Sequence, residues 1–456
     1  MWFLVLLTFF NALADNDLVL RYRIPAGGFP ISAFDILLLG LGPIAVILSR
    51  RQAFPTDRPH PILPWIFILF TAAVVAGSIG SVVSGTGLRH AVTSLRNLIA
   101  LPVAIWLGYY LVLQFYSAEK LCKWHVYAGV VTAGFVLLYF GRKATVLAPD
   151  GSIDTLRAIK YVAIYCGIAA VFLLFTIVSG VGMFRPWLAI VLCGFCFLGQ
   201  FATLSRSDWL AAWVAVVAVY FRLPSAKRGG KLAAAVIGPP VAVAFLWIGL
   251  FVAGMLTGTD FTKKMTNRLY SMLPGETPGV RQAKAWDTRL HSTLVELRWW
   301  ADSPLIGRGF GIHDIKRPLL SPSEQMGLRH NTWVSTLAET GLVGFSAMVL
   351  VVGGTYVVGR RMVRDWTDRG SVLVGALGVV TASIYAVLGL TTMSFNQVRG
   401  AIPLAVVCGV VLRVRAMQQT ALRAQQQAAA NGYGGGDEPD AYENPAPAYA
   451  SPAPTY

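Results

Sequence analysis

Apolar runs of roughly 18 to 25 residues recur along most of the chain, separated by short polar joints, and this pattern restricts the fold more than any other feature. A helix of that length crosses about 30 Å of hydrocarbon, and inside lipid it satisfies every backbone N–H and C=O within one segment. Ile62 to Val83 and Leu232 to Leu256 are clear examples, each without a single charge. Short segments of alternating polarity, the mark of a membrane barrel, are missing. Composition agrees: a chain of 456 residues that is 55% hydrophobic and only 13% charged, with mean hydropathy +0.59, has too little polar surface to clothe a water-soluble globule. The sequence therefore predicts an all-α, polytopic membrane protein of about twelve spans.

Taken in order, the runs predict spans one to nine over 1–256, a long polar loop over 257–330, spans ten to twelve over 331–412 and a tail over 413–456. Met1 to Leu13 lacks a charged leader and a cleavage site, so it reads as an uncleaved anchor. The second span is expected over Ile31 to Ser49, after a polar hairpin (Asp15 to Pro30), and the fifth over Trp124 to Gly141, before a polar loop (Arg142 to Arg157). The joints after even-numbered spans hold the Lys and Arg excess, as at Arg50-Arg51, Lys120 and Lys123, and Arg360, Arg361 and Arg364. They and both termini are thus expected on the cytoplasmic side, and the long loop outside. Most of the net charge of +16 is this orienting charge, so nucleic acid is not expected as a partner. Beyond Arg413 apolar periodicity gives way to Gln, Ala, Gly, Pro and Tyr, which predicts a disordered cytoplasmic tail. Among the five cysteines, Cys193 and Cys196 form a pair inside a span, without redox context or partners for zinc, and are read as packing.

Chemistry concentrates in the long loop. Thr257 to Asn331 holds eleven Lys or Arg, seven Asp or Glu and three of the six histidines. A cationic loop on the outer side suggests an anionic ligand. Trp286, Leu290, Leu294 and Leu297 repeat at the spacing of a helix lying on the membrane surface. Arg289 and Glu296, two turns apart, share a face of that helix, either as an arginine braced toward a ligand or as a solvated charge pair. Arg206, in Leu204-Ser-Arg-Ser-Asp208 at the end of the seventh span, is costly at that depth unless it meets a partner or a water-filled cavity. Gly307, Gly309 and Gly311 follow no strand, so they predict a tight turn beside the membrane rather than a nucleotide cradle. His330-Asn331 stands where the loop re-enters the membrane, and an imidazole there can accept a proton near neutral pH. His90, His291 and His313 are expected on the same side, but no metal-ligand spacing links them, and neither a metal nor a cofactor is expected.

The order Ser205-Arg206, Arg289, Pro304-Leu-Ile-Gly-Arg-Gly-Phe-Gly311 and His330-Asn-Thr-Trp-Val-Ser-Thr-Leu-Ala-Glu-Thr-Gly-Leu-Val-Gly344 resembles the bacterial O-antigen ligase and O-antigen polymerase family. The resemblance implies a type C glycosyltransferase fold at the bacterial inner membrane, acting at its outer face on an undecaprenyl diphosphate-linked glycan. It also implies that Arg206 and Arg289 bind the diphosphate, with Arg281, Arg308 and Asn331 as further candidates. His330 would take the proton from the acceptor hydroxyl, in an inverting displacement that needs no metal. Guanidinium forks suit a diphosphate leaving group because they bind it bidentately and more strongly as its charge grows. Where the family often has a tryptophan four residues after its loop arginine, this chain has Thr293, which keeps Arg281 open beside Arg289. The acceptor is either a second lipid-linked glycan, giving a polymerase, or a lipid A core, giving a ligase. Tail residues Tyr433, Tyr442, Tyr449 and Tyr456 incline the reading toward a polymerase coupled to polysaccharide export machinery. A transporter or lipid flippase is the alternative from another class, with Gln200 and Arg96 along its path, but no internal repeat relates the two halves.

Overall fold

A computed structural model describes residues 23–26, 29–32, 36–50, 59–112, 115–140, 145–147, 153–155, 164–203, 205–221, 280–313, 331–365, 368–391 and 398–432, with Phe3, Leu7 and Thr8. The first and ninth expected spans, His330 and the four tail tyrosines lie outside the described residues, as do the side chains of Arg206, Arg281 and Arg289.

The architecture is helical. A hairpin of β1 (Arg23–Ala26) and β2 (Phe29–Ser32) is followed by wide helical turns over Ile36–Leu41 that run into α1 (Gly42–Arg50). Then come α2 (Ile62–Val83), α3 (Leu88–Leu111) and α4 (Phe115–Phe140), and a second small hairpin, β3 (Thr145–Leu147) with β4 (Ile153–Thr155). Helices α5 (Ile164–Ser179), α6 (Pro186–Ala202) and α7 (Arg206–Tyr220) complete the first part. Loop helix α8 (Val280–Ala301) precedes α9 (Thr332–Asp365), α10 (Arg369–Thr391) and α11 (Val398–Gly432).

Among the described residues six helices are long and apolar enough to cross a membrane. The outward face of one of them, α2, carries Trp65, Ile68, Val75, Ile79 and Val82, and that of the shorter apolar helix α6 carries Trp187, Ile190 and Val191, all exposed. Such continuous apolar surface would drive aggregation in water but is solvated by lipid tails. The chain is a polytopic membrane protein. α10 is its hub: apolar around its whole circumference, it packs on α9, α7, α5 and α4. Its closest approach is to α9, where a methyl group on Gly359 would stand 2.6 Å from the Gly375 carbonyl oxygen. Lipid supplies no hydrophobic drive between spans, so close backbone contact through small residues is what holds such a pair.

Three boundaries differ from expectation. The second span starts at Ile36 rather than Ile31, because Pro30 and Ile31 belong to the β-hairpin. α4 begins at Phe115, ahead of Trp124, because the Lys and Glu of its first turns are good helix formers and Glu119 pairs with Lys123 at 3.3 Å. The chain after Leu412 is not disordered as far as Gly432, because α11 continues to there. Ala, Gln, Arg and Met form helix readily without an apolar stripe, which is why composition misled. Residues 1–416 form one compact unit and 417–456 a second, whose helical residues 421–430 are exposed.

The main unit has two chemically distinct ends. At one, His60 precedes α2 beside Tyr109 of α3, and Arg415 pairs with Asp365 at 2.9 Å. At the other, the far end of α2 meets the glycine turn of the long loop.

Candidate active site around the glycine turn

The turn after α8 is built on three glycines with positive φ, Gly307 (72°), Gly309 (96°) and Gly311 (78°), a backbone path closed to most side chains. It docks on two helices through main-chain hydrogen bonds. Inside α9, Gly341 (φ 64°, ψ −159°) breaks the helix, so Ala338 and Glu339 lose the donors four residues ahead of them. The turn repairs this break reciprocally. Arg308 N–H donates to the Ala338 carbonyl at 2.8 Å and Gly309 N–H to that of Glu339 at 3.0 Å. In return Leu342 N–H donates to the Pro304 carbonyl at 2.9 Å and Val343 N–H to that of Leu305 at 3.4 Å. On the other flank, Phe310 N–H donates to the Gly77 carbonyl of α2, while the hydroxyls of Ser81 and Ser84 donate to the carbonyls of Phe310 and Arg308. The turn expected beside the membrane is thus a bracket joining α2 to α9.

Below it lies a buried ionic junction. His313 Nδ1 is 3.2 Å from Glu339 Oε1 of α9, and its Nε2 is 3.2 Å from Glu296 Oε1 of α8, an ion-pair contact rather than an aligned hydrogen bond. The second Glu296 oxygen accepts from the Ser335 hydroxyl at 2.9 Å, and Trp299 sets its ring edge to the imidazole. Burial opposes a charge on His313, but Glu296 and then Glu339 outweigh it and push the imidazole up to about 9. At neutral pH one cation is therefore held between two carboxylates. This junction ties α8 to the first turns of α9, and the two helices pack together.

α8 presents Leu290 and Leu294 outward and buries Ser292 and Glu296. The exposed apolar stripe agrees with a helix seated on a membrane surface. Glu296 is not part of a solvated charge pair, because it is buried against His313 and Ser335.

The candidate residues fall around this junction as follows. Arg289 and Arg281 lie on α8, N-terminal to Glu296, with Arg289 two turns away. Asn331 caps α9, its side-chain oxygen accepting from Val334 N–H at 3.2 Å, so the helix starts at Thr332, two residues after His330 in sequence. Arg308 is paired with Asp302, and its backbone serves the bracket. Arg206 opens α7, with Ser205 and Asp208 buried beside it, and α7 packs on α10 and α5. The described structure thus brings the helix of Arg281 and Arg289 together with the helix that follows His330. His90 backs onto Gly311, where an added methyl would come within 2.8 Å of its Cβ, whereas His291 is exposed. Cys193 and Cys196 are free and buried, as packing requires. Among the described residues no group of His, Cys, Asp or Glu is arranged to hold a metal ion.

Sequence reasoning missed the junction. The one available signal was the polar stripe of Ser292 and Glu296, four apart on α8 opposite the leucines, which marks a buried polar contact.

Residues 188–349 match the family model described as O-antigen ligase. Over that segment, about a third of its length, the chain is similar to the O-antigen ligase family. No curated protein matches it. The matched segment begins in α6 and ends inside α9, so it contains α7, the loop helix, the glycine turn, the ionic junction and the helix break at Gly341.

Proposed function

We propose that this protein, like the O-antigen ligase family it is similar to over residues 188–349, transfers a polyprenyl diphosphate-linked glycan to a hydroxyl acceptor at the outer face of a bacterial inner membrane, with both termini cytoplasmic. The observation that carries the reading is the buried junction that fastens the arginine-bearing helix α8 to the first turns of α9, a helix that starts two residues after His330 in sequence. A diphosphate leaving group needs fixed cations, and an acceptor hydroxyl needs a base; a rigid joint between their carriers supplies the preorganisation that the chemistry demands.

In this reading Arg289 and Arg206 grip the diphosphate and take up the negative charge that grows as the glycosidic bond breaks. Arg281 and Arg308 add field, and the dipole of α9 favours an anion near Asn331. His330 removes the acceptor proton, the oxygen attacks the anomeric carbon from the face opposite the diphosphate, and the configuration inverts. Arginines neutralise the leaving group, so no metal is required.

The acceptor has two readings. The matched description supports a ligase, whose acceptor would be a lipid A core. A polymerase that joins two lipid-linked glycans, coupled to export machinery, rests on the tail tyrosines, which lie outside the described residues. Purified protein incubated in chelator with a polyprenyl diphosphate-linked oligosaccharide, with and without lipid A core, separates them. Elongated lipid-linked product without added acceptor identifies a polymerase, and acceptor-dependent product a ligase. If folded protein gives neither, glycosyl transfer is wrong and the transporter reading returns.

A further inference from the structure

We propose that His313 is a positioning residue whose charged imidazole clamps Glu296 of α8 to Glu339 of α9 and so fixes the helix that carries Arg289 in sequence against the helix that follows His330. The proposal rests on the roles given above to those two residues.

The geometry argues for a clamp rather than a chance contact. Each ring nitrogen faces a different carboxylate at 3.2 Å, and the two carboxylates come from different helices. His313 ends a glycine turn that is already fixed on α2 and α9 by hydrogen bonds, so it has little freedom to move aside. It is 2% exposed and Glu296 is 1% exposed, so water contributes little to holding the charges. Among the described residues the groups packed around the ring are Glu296, Trp299 and, through Glu296, Ser335, with Glu339 opposite; His90 lies behind Gly311.

A neutral imidazole would take away the attraction of one positive charge for Glu296 of α8 and Glu339 of α9, and so weaken the tie between the two helices. With the ordinary histidine value near 6.5 and the folded value pushed up to about 9, the clamp's contribution to stability is complete below 6.5. It is lost as pH rises through about 9. His313 is therefore expected to set the alkaline limit of activity.

The test is a pH profile of turnover and of thermal unfolding for the full chain in detergent, with a polyprenyl diphosphate-linked oligosaccharide as donor. It compares wild type, Glu339→Gln and His313→Gln. Wild-type kcat is expected to fall near pH 9. In Glu339→Gln one carboxylate is gone, so that alkaline limb should move to lower pH by about one unit or more while the acid limb stays. In His313→Gln the remaining turnover should be lower by roughly tenfold or more, mainly in kcat, with no alkaline limb. An alkaline limb at the same pH in folded Glu339→Gln, or its persistence in folded His313→Gln, would overturn the proposal. If His313→Gln does not fold, Glu339→Gln decides. If wild type itself gives no transfer at any pH, the functional reading has failed. The melting series then decides on the clamp alone: wild-type stability should decline between pH 6.5 and about 9, and an unchanged decline in Glu339→Gln refutes it.

Discussion

His313 and His60 are both buried, yet the protein treats them oppositely. His60 lies at the other end of the main unit, where burial first, and then the positive charges of Arg415 and Arg361, lower its value to about 4. His313 meets similar burial, but Glu296 and Glu339 reverse the outcome and raise it to about 9. Burial alone removes charge from a histidine; two carboxylates restore it. The neutral His60 closes a helix start, its backbone N–H donating to the Tyr109 hydroxyl at 3.2 Å and its Nδ1 accepting from Ile62 N–H. The charged His313 joins three chain segments. One end of the bundle uses a histidine as a local polar cap, and the other uses one as an ionic bolt.

The comparison is broken most severely by Glu296→Ala. It leaves His313 and Ser335 without their shared partner and should cost about 3–5 kcal/mol, as removal of one member of a buried pair does. Chemical unfolding in detergent would register the loss. Ser335→Ala removes only the hydroxyl donor to Glu296, and a loss of about 1.5–3 kcal/mol is expected in the same measurement. A loss as large as that of Glu296→Ala would shift the weight of the junction from His313 to the serine. Gly80→Ala tests the bracket, because its methyl would stand 2.7 Å from Gly309 N and 2.9 Å from Gly309 Cα. Crowding should cost about 1–3 kcal/mol, and limited proteolysis should cut the loop faster if the turn has lifted from α2. His60→Gln should have the smallest effect, visible mainly as a change in pH dependence. Because folding depresses His60, its contribution is present above about 6.5 and is lost as pH falls through about 4. Melting of wild type between those values should therefore show an acid-side decline that His60→Gln reduces, with the alkaline side unaltered.

Much of the frame was legible because lipid imposes a length and a polarity on each span. Ile62–Val83 coincides with α2 from first residue to last, and the interruption at Ser205 falls between α6 and α7. Boundaries slipped where polar sequence is also good helix sequence, as at Glu119 and after Arg413. The glycine turn was legible as a turn, since three alternating glycines have few other uses. Its bond exchange with the broken α9 was not, because that depends on Gly341, which sequence alone does not distinguish from a packing glycine. The ionic junction was least legible. Glu296, His313 and Glu339 are separated by 17 and 26 residues and share no local spacing, so only the fold brings them together. The resemblance singled out Arg206, Arg289 and His330 as candidates by order along the chain, which carries no information on distance.

The central claim is that Arg289 and His330 act on one lipid-linked glycan. The direct measurement is single-turnover transfer from a polyprenyl diphosphate-linked oligosaccharide by folded wild type, Arg289→Ala and His330→Ala, in chelator. The expected result is transfer by wild type and a loss of about 10²–10⁴-fold in His330→Ala, the range for removing a general base. Arg289→Ala should lose about 10²–10³-fold through the stabilisation it gives the departing diphosphate. Undiminished transfer by either folded variant would contradict the role assigned to that residue.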